Sequence, residues 1–211
     1  MQAAGRAEGL LYVEVDCPPE LESEFHAWYN LEHVPERMSI PGFVSGRRYA
    51  ALEGLPRWLA TYELTSAAVL ESPEYRKWLG GPLQTAWTTR MIASTRVHRS
   101  VFRLAVGRDS APTDKNRQAL LAVRYVASPE ESGQLSRWHD TEFSRELLEV
   151  PGVLSSARYD GTEGNERLVL YELEQPWLTQ EAAFGRLWTA GWETRRASLS
   201  SYRRVLYLRI L

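Results

Sequence analysis

The chain is short of the features that usually announce a function. Its 211 residues include a single cysteine, Cys17, which excludes an internal disulfide and any multi-cysteine metal site. Cys17 lies in Asp16-Cys17-Pro18-Pro19, a loop leaving a strand. The local sequence shows neither the base nor the electropositive setting that a nucleophilic thiol needs. Charge of one sign is not in excess either. The 25 Lys+Arg stand against 27 Asp+Glu for a formal charge of -2, and the arginines are spread along the chain, which excludes nucleic acid as the expected partner. No apolar run approaches the roughly 20 residues of a membrane span, and Met1 to Gly9 is too short and too polar for a secretory signal. A nucleotide loop is lacking too, because Gly80-Gly81 follows a helix and has no further glycines at phosphate-loop spacing. These absences leave a cytoplasmic chain with a small-molecule partner as the expectation.

What is there is said twice. Trp28-Tyr29-Asn30-Leu31-Glu32-His33, Pro41-Gly42-Phe43 and Arg48-Tyr49 recur about 110 residues later as Trp138-His139-Asp140-Thr141-Glu142-Phe143, Pro151-Gly152-Val153 and Arg158-Tyr159, the mark of a duplicated domain. Each copy reads in the order strand, helix, strand, strand, helix, strand. In the first copy these are Leu10 to Val15, Pro19 to His33, Phe43 to Ala51, Trp58 to Leu64, Pro73 to Ile92 and Arg96 to Val106. The second gives Leu120 to Val126, Pro129 to Leu148, Val153 to Tyr159, Leu168 to Leu173, Gln180 to Ser198 and Tyr202 to Ile210. The expected division is residues 1–106 and 118–211, with 107–117 as a polar linker. The fold class is α+β: two tandem ferredoxin-like βαββαβ repeats, each with one bare sheet face. The two antiparallel sheets are expected to pack face to face as an intramolecular α/β barrel with helices outside. That makes a pseudo-dimeric monomer, with a homodimer left open.

The run Trp-Tyr-Asn-x-Glu-His-x-Pro-Glu-Arg, followed by Pro-Gly-Phe and Arg-Arg-Tyr, resembles the EthD-like branch of the dimeric α/β-barrel superfamily in duplicated form. The resemblance covers about a quarter of the chain. It implies a small-molecule cavity between sheet and helices, in a fold that hosts cofactor-independent oxygenases, isomerases, cyclases and haem-binding enzymes.

Several residues are candidates for chemistry. On a helical wheel of about 100° per residue, Leu21, Phe25 and Trp28 share a stripe that includes Glu32; Leu135, Trp138 and Glu142 repeat it. A carboxylate there is either a desolvated acid–base group or a brace satisfied by backbone or by Arg48 and Arg158. His33 falls with Tyr29 and His26 at the edge of the buried face, and Tyr29 and His33, spaced i, i+4, reach one substrate. The second copy has His139 and Phe143 instead, so the first copy is the expected reactive half. Tyr29 and His33 form the acid–base pair of this reading, with Arg48 or Tyr49 on a developing oxyanion and Glu32 as a further carboxylate. Trp28, Trp58, Trp87, His139, Glu142, Arg158 and Tyr159 are the candidate ligand contacts. Arg48 and Tyr49 point to opposite sheet faces by alternation, and Phe43 shares parity with Tyr49. No metal site is expected, since Glu22 and His26 alone lack further ligands. The function expected is cofactor-independent proton transfer on a small apolar or aromatic carbonyl compound. The alternatives are a non-catalytic binding protein and a haem protein with His33, His139 or His98 as axial ligand.

Overall fold

A computed structural model describes residues 7–109 and 117–211. The chain is α+β and divides into two compact units, residues 1–103 with 210–211, and residues 104–209. The boundary therefore falls inside a strand that runs from Arg96 to Asp109; most of the expected linker lies outside the described residues. No helix among the described residues is long and apolar enough to cross a membrane.

The first unit contains β1 (Gly9–Asp16), α1 (Glu22–Trp28), α2 (Val34–Ser39), β2 (Phe43–Ala51), β3 (Trp58–Leu64), α3 (Pro73–Trp78), α4 (Ala86–Ser94) and, as far as Arg103, β4 (Arg96–Asp109). β1 pairs antiparallel with β3 and β4, and β3 with β2, giving the sheet order β4-β1-β3-β2. The second unit repeats this with β5 (Ala119–Val126), α5 (Pro129–Trp138), α6 (Ser144–Leu148), β6 (Val153–Gly161), β7 (Glu166–Leu173), α7 (Ala182–Trp188) and β8 (Ser201–Arg209). Its sheet order is β8-β5-β7-β6. Alternation of apolar residues produces each strand, and both faces of the central strands are buried: β1 is buried from Gly9 to Val15. The expected helix over 73–92 is broken at 79–85, where Gly80 takes a φ of +72° that a side chain would resist. Ser72 and Thr85 restart the helices as N-caps, accepting from Tyr75 N and Thr88 N at 3.1 and 3.0 Å.

Two local departures from ideal geometry place the candidate side chains. Between α1 and α2, Tyr29–His33 form a π-helical turn, with Val34 N–H donating to Tyr29 O; His139–Phe143 repeat it between α5 and α6. The i→i+5 bond widens the turn by one residue, so the wheel is wrong beyond Tyr29. His33 turns inward and is buried, while Glu142 is exposed. The second departure is a β-bulge at Val44, matched at Leu154, where the register shifts. An extra residue reverses the parity, which puts Phe43 on the helix-facing side together with Arg48. Tyr49 points to the other face of β2, as Tyr159 does on β6.

Candidate functional site

Between helix and sheet in the first unit lies a polar cluster that an ordinary core would not contain. Tyr29 and His33 bring their rings to 5.1 Å, and Trp28 packs on His33 at 4.4 Å. The Arg48 guanidinium comes up from β2 to 4.2 Å from the Tyr29 ring. One turn beyond His33, Arg37 lies 5.3 Å over the ring of Tyr75, whose hydroxyl accepts from Arg99 Nη2 at 2.6 Å. Tyr62 on β3 stands opposite Gly46, where a Cβ would meet its ring at 3.2 Å. His33, Arg37, Arg48, Tyr29, Tyr62 and Tyr75 are all buried; Arg99 is exposed.

Three of these groups have buried polar atoms without a hydrogen-bond partner: His33 Nδ1, Arg37 Nη1 and the Tyr62 hydroxyl. An unpartnered buried donor or acceptor costs about 1–3 kcal/mol, so their convergence has to be explained. Arg48 is held by neutral acceptors only, Asn30 Oδ1 at 2.6 Å and His26 Nδ1 at 2.9 Å. Among the described residues no carboxylate pairs with Arg37, Arg48 or Arg99.

The electrostatics follow from burial under positive charge. Desolvation, reinforced by Arg37, Arg48 and Arg99, holds the His33 imidazole well below its usual value, so it is neutral near pH 7. Desolvation lifts the Tyr29 phenol to about 12 against the pull of the same arginines, and lifts Tyr62 well above the usual range. Burial also lowers the Arg48 guanidinium, although Tyr29 and Tyr62 act the other way. The site combines a neutral imidazole, two protonated phenols and uncompensated guanidinium charge.

The second unit shows the same positions without this chemistry. Phe143 stands for His33, Leu147 for Arg37 and Phe184 for Tyr75, all at 0–2% exposure within an apolar core. Tyr171, the counterpart of Tyr62, accepts from Trp192 Nε1 at 3.0 Å. Asp140 replaces Asn30 and chelates Arg158 through contacts of 2.8 and 3.0 Å. Burial raises the Asp140 carboxyl, but hydrogen bonds from His139 and Arg158 outweigh it and bring it to about 2. His139, in the place of Tyr29, contacts Asp140 at 3.0 Å.

The other expected site residues distribute as follows. Glu32 accepts from Thr85 at 2.5 Å and from Thr88 at 2.8 Å, and Thr88 also accepts from Trp28 Nε1 at 2.9 Å. Glu32 thus ties the π turn to α4, and its partners are threonines, where the sequence suggested Arg48. Glu142 projects to solvent, away from the Arg158 cluster, because the π turn has moved it off the buried stripe. Tyr49 and Tyr159 lie on the opposite sheet face from Arg48 and Arg158, so neither joins the cluster. Trp58 packs on His26 at 4.4 Å, whereas Trp87 donates outward to Glu24 at 3.0 Å. Glu22 and His26 are engaged by Arg57 and Arg48. His98 is exposed and apart from His33. Burial pushes the Cys17 thiol up, away from reactivity. A separate cleft of about 220 Å³ in the second unit, lined by residues including Glu131, Trp138 and Arg195, contains none of the expected site residues.

Sequence reasoning missed Arg37, Tyr62, Tyr75 and Arg99 as site members. The signal available was the duplication itself: Arg37 and Tyr75 become Leu147 and Phe184, the same kind of change that singled out His33.

No protein-family model matches the chain, and no curated protein matches it. Solved structures do. An anthrone oxidase-like protein is similar at 11% identity and a TM-score of 0.71, over 98% of this chain and 92% of that one. A mutant chlorite dismutase from Candidatus Nitrospira defluvii matches at 8% identity and 0.64, over 96% and 91%. A ferredoxin-fold protein related to antibiotic biosynthesis monooxygenases, from Listeria monocytogenes, matches at 9% identity and 0.52, over 100% and 99%. At such identities the likeness shows the fold alone, a ferredoxin-like α/β fold of duplicated length.

Proposed function

We propose that the chain is a small-molecule acid–base enzyme of the EthD-like branch, acting without a cofactor on an aromatic carbonyl compound, with its site in the first repeat. The observation that carries the reading is the convergence of the unpartnered His33 Nδ1, Arg37 Nη1 and Tyr62 hydroxyl, in a cluster the second repeat fills with apolar side chains. His33, kept neutral, takes a proton from a carbon conjugated with the carbonyl, either next to it or, as in anthrone, across an arene. The electron pair passes to the carbonyl oxygen, where Tyr62 and Arg37 donate to the oxyanion. Tyr29, held protonated, and Trp28 orient the ring. Glu32 is a positioning residue that fixes the turn carrying His33. The likeness to an anthrone oxidase-like protein supports an aromatic ketone as probe.

The test is exchange of the methylene protons of anthrone in deuterated buffer, followed by NMR. The expected result is acceleration by the purified protein and a loss of about 10²-fold or more in His33→Phe. Equal exchange by the two proteins would overturn the role of His33. A Soret band on haem addition that vanishes in His33→Phe would replace this reading with haem ligation.

A further inference from the structure

We infer that the first-repeat site takes a ligand that arrives already negatively charged: an aromatic compound carrying a carboxylate or an ionised phenol, its charge bound by Arg37 and Arg48. The inference deepens the reading above and rests on its placement of the site. Two independent observations carry it. Arg37 is buried with an Nη1 that meets no acceptor, whereas buried guanidiniums are ordinarily paired. Arg48 is bonded only to Asn30 and His26, both neutral as acceptors, while its counterpart Arg158 is neutralised by Asp140 and Asp160. One fold thus holds the same buried arginine in two ways, and the first repeat leaves the countercharge out. An anion from solution completes the pair there. The Tyr62 hydroxyl adds a neutral donor, and the Trp28, Tyr29 and Tyr75 rings supply the apolar walls an arene needs. Arg99, exposed on β4 and bonded to Tyr75, is the member that meets solvent and draws an anion toward the cluster.

The test compares salicylate with neutral salicylamide, titrated into the full chain by isothermal calorimetry at neutral pH. Salicylate is expected to bind at least roughly tenfold more tightly, as one charge-assisted contact in place of a neutral one provides. The preference should disappear in Arg37→Leu, which installs the residue of the second repeat, and persist in Arg37→Lys. Equal affinities for the two probes, no saturable binding of either, or a preference that survives Arg37→Leu would overturn the inference; circular dichroism of each variant establishes that it is folded. His33→Phe separates the two proposals. Lost proton exchange with the anion preference intact supports both. Unchanged exchange overturns the acid–base reading and leaves the anion site standing.

Discussion

At the residue scale, Arg37 is the most informative side chain. A buried, uncompensated guanidinium opposes folding, and the second repeat shows that the architecture accepts leucine there. Arg37→Leu is therefore expected to leave the first unit as stable as before or to stabilise it by about 1 kcal/mol or more, read from urea midpoints. A clear fall in stability would mean that the fold needs the guanidinium. The sequence made His33 visible because the duplication did not keep it and because imidazole is conspicuous. Arg37 was harder to see: it closes the run Pro35-Glu36-Arg37, and an arginine in the last turn of a helix is ordinarily a solvated cation complementing the dipole. Only the inward turn of the helix shows it to be buried.

At the element scale, every strand was legible from periodicity because the period-2 pattern records which face is buried, whereas the helical pattern ended the first helix at His33, short of α2, and ran α3 and α4 together as one helix. Two features were not legible. The π turn and the β-bulge each insert one residue, and no composition signal marks either insertion. Their consequence is large. The wheel left His33 at the edge of the apolar stripe and strict alternation separated Phe43 from Arg48; the insertions bury His33 and put Phe43 on the face of Arg48. The π turn is thus the device that aims His33 and Arg37. Leu31 is exposed within it, so deleting Leu31 should let the segment close into a regular α-helix and rotate His33 and Arg37 relative to Tyr29. The expected outcome is retained helix content by circular dichroism with loss of the salicylate preference. Deleting Thr141 from the matching turn of the second repeat should leave that preference unchanged. If the Leu31 deletion also bound salicylate normally, the π turn would have no part in placing the site.

At the scale of the whole molecule, the duplication separates two demands that a single domain must reconcile. The second unit pairs Arg158 with Asp140 and Tyr171 with Trp192, and it fills the positions of His33, Arg37 and Tyr75 with Phe143, Leu147 and Phe184. The first unit keeps unpaired charge and a desolvated imidazole, which a reactive site needs and a stable core avoids. That asymmetry has a pH signature. His33 is held below its ordinary value, so as pH falls through about 6.5 the unfolded chain binds a proton that the folded unit refuses. Unfolding free energy of the first unit then declines by up to about 1.4 kcal/mol per pH unit until the lowered folded value is reached. His26, lowered mainly by its own desolvation and then by Arg48, acts in the same direction. Asp140 acts in the same direction but in a lower pH window. Its contribution is complete above the ordinary value of 3.8 and is lost only as pH drops toward about 2. Between pH 7 and pH 5 the first unit should therefore weaken while this second-unit contribution holds. Hydrogen exchange followed by mass spectrometry, corrected for the intrinsic pH dependence of exchange, should show protection falling first in β1 and β3, with β5 and β7 unaffected. In His33→Phe the decline in β1 and β3 should be smaller, and an unchanged decline there would assign the acid sensitivity to groups other than the imidazole.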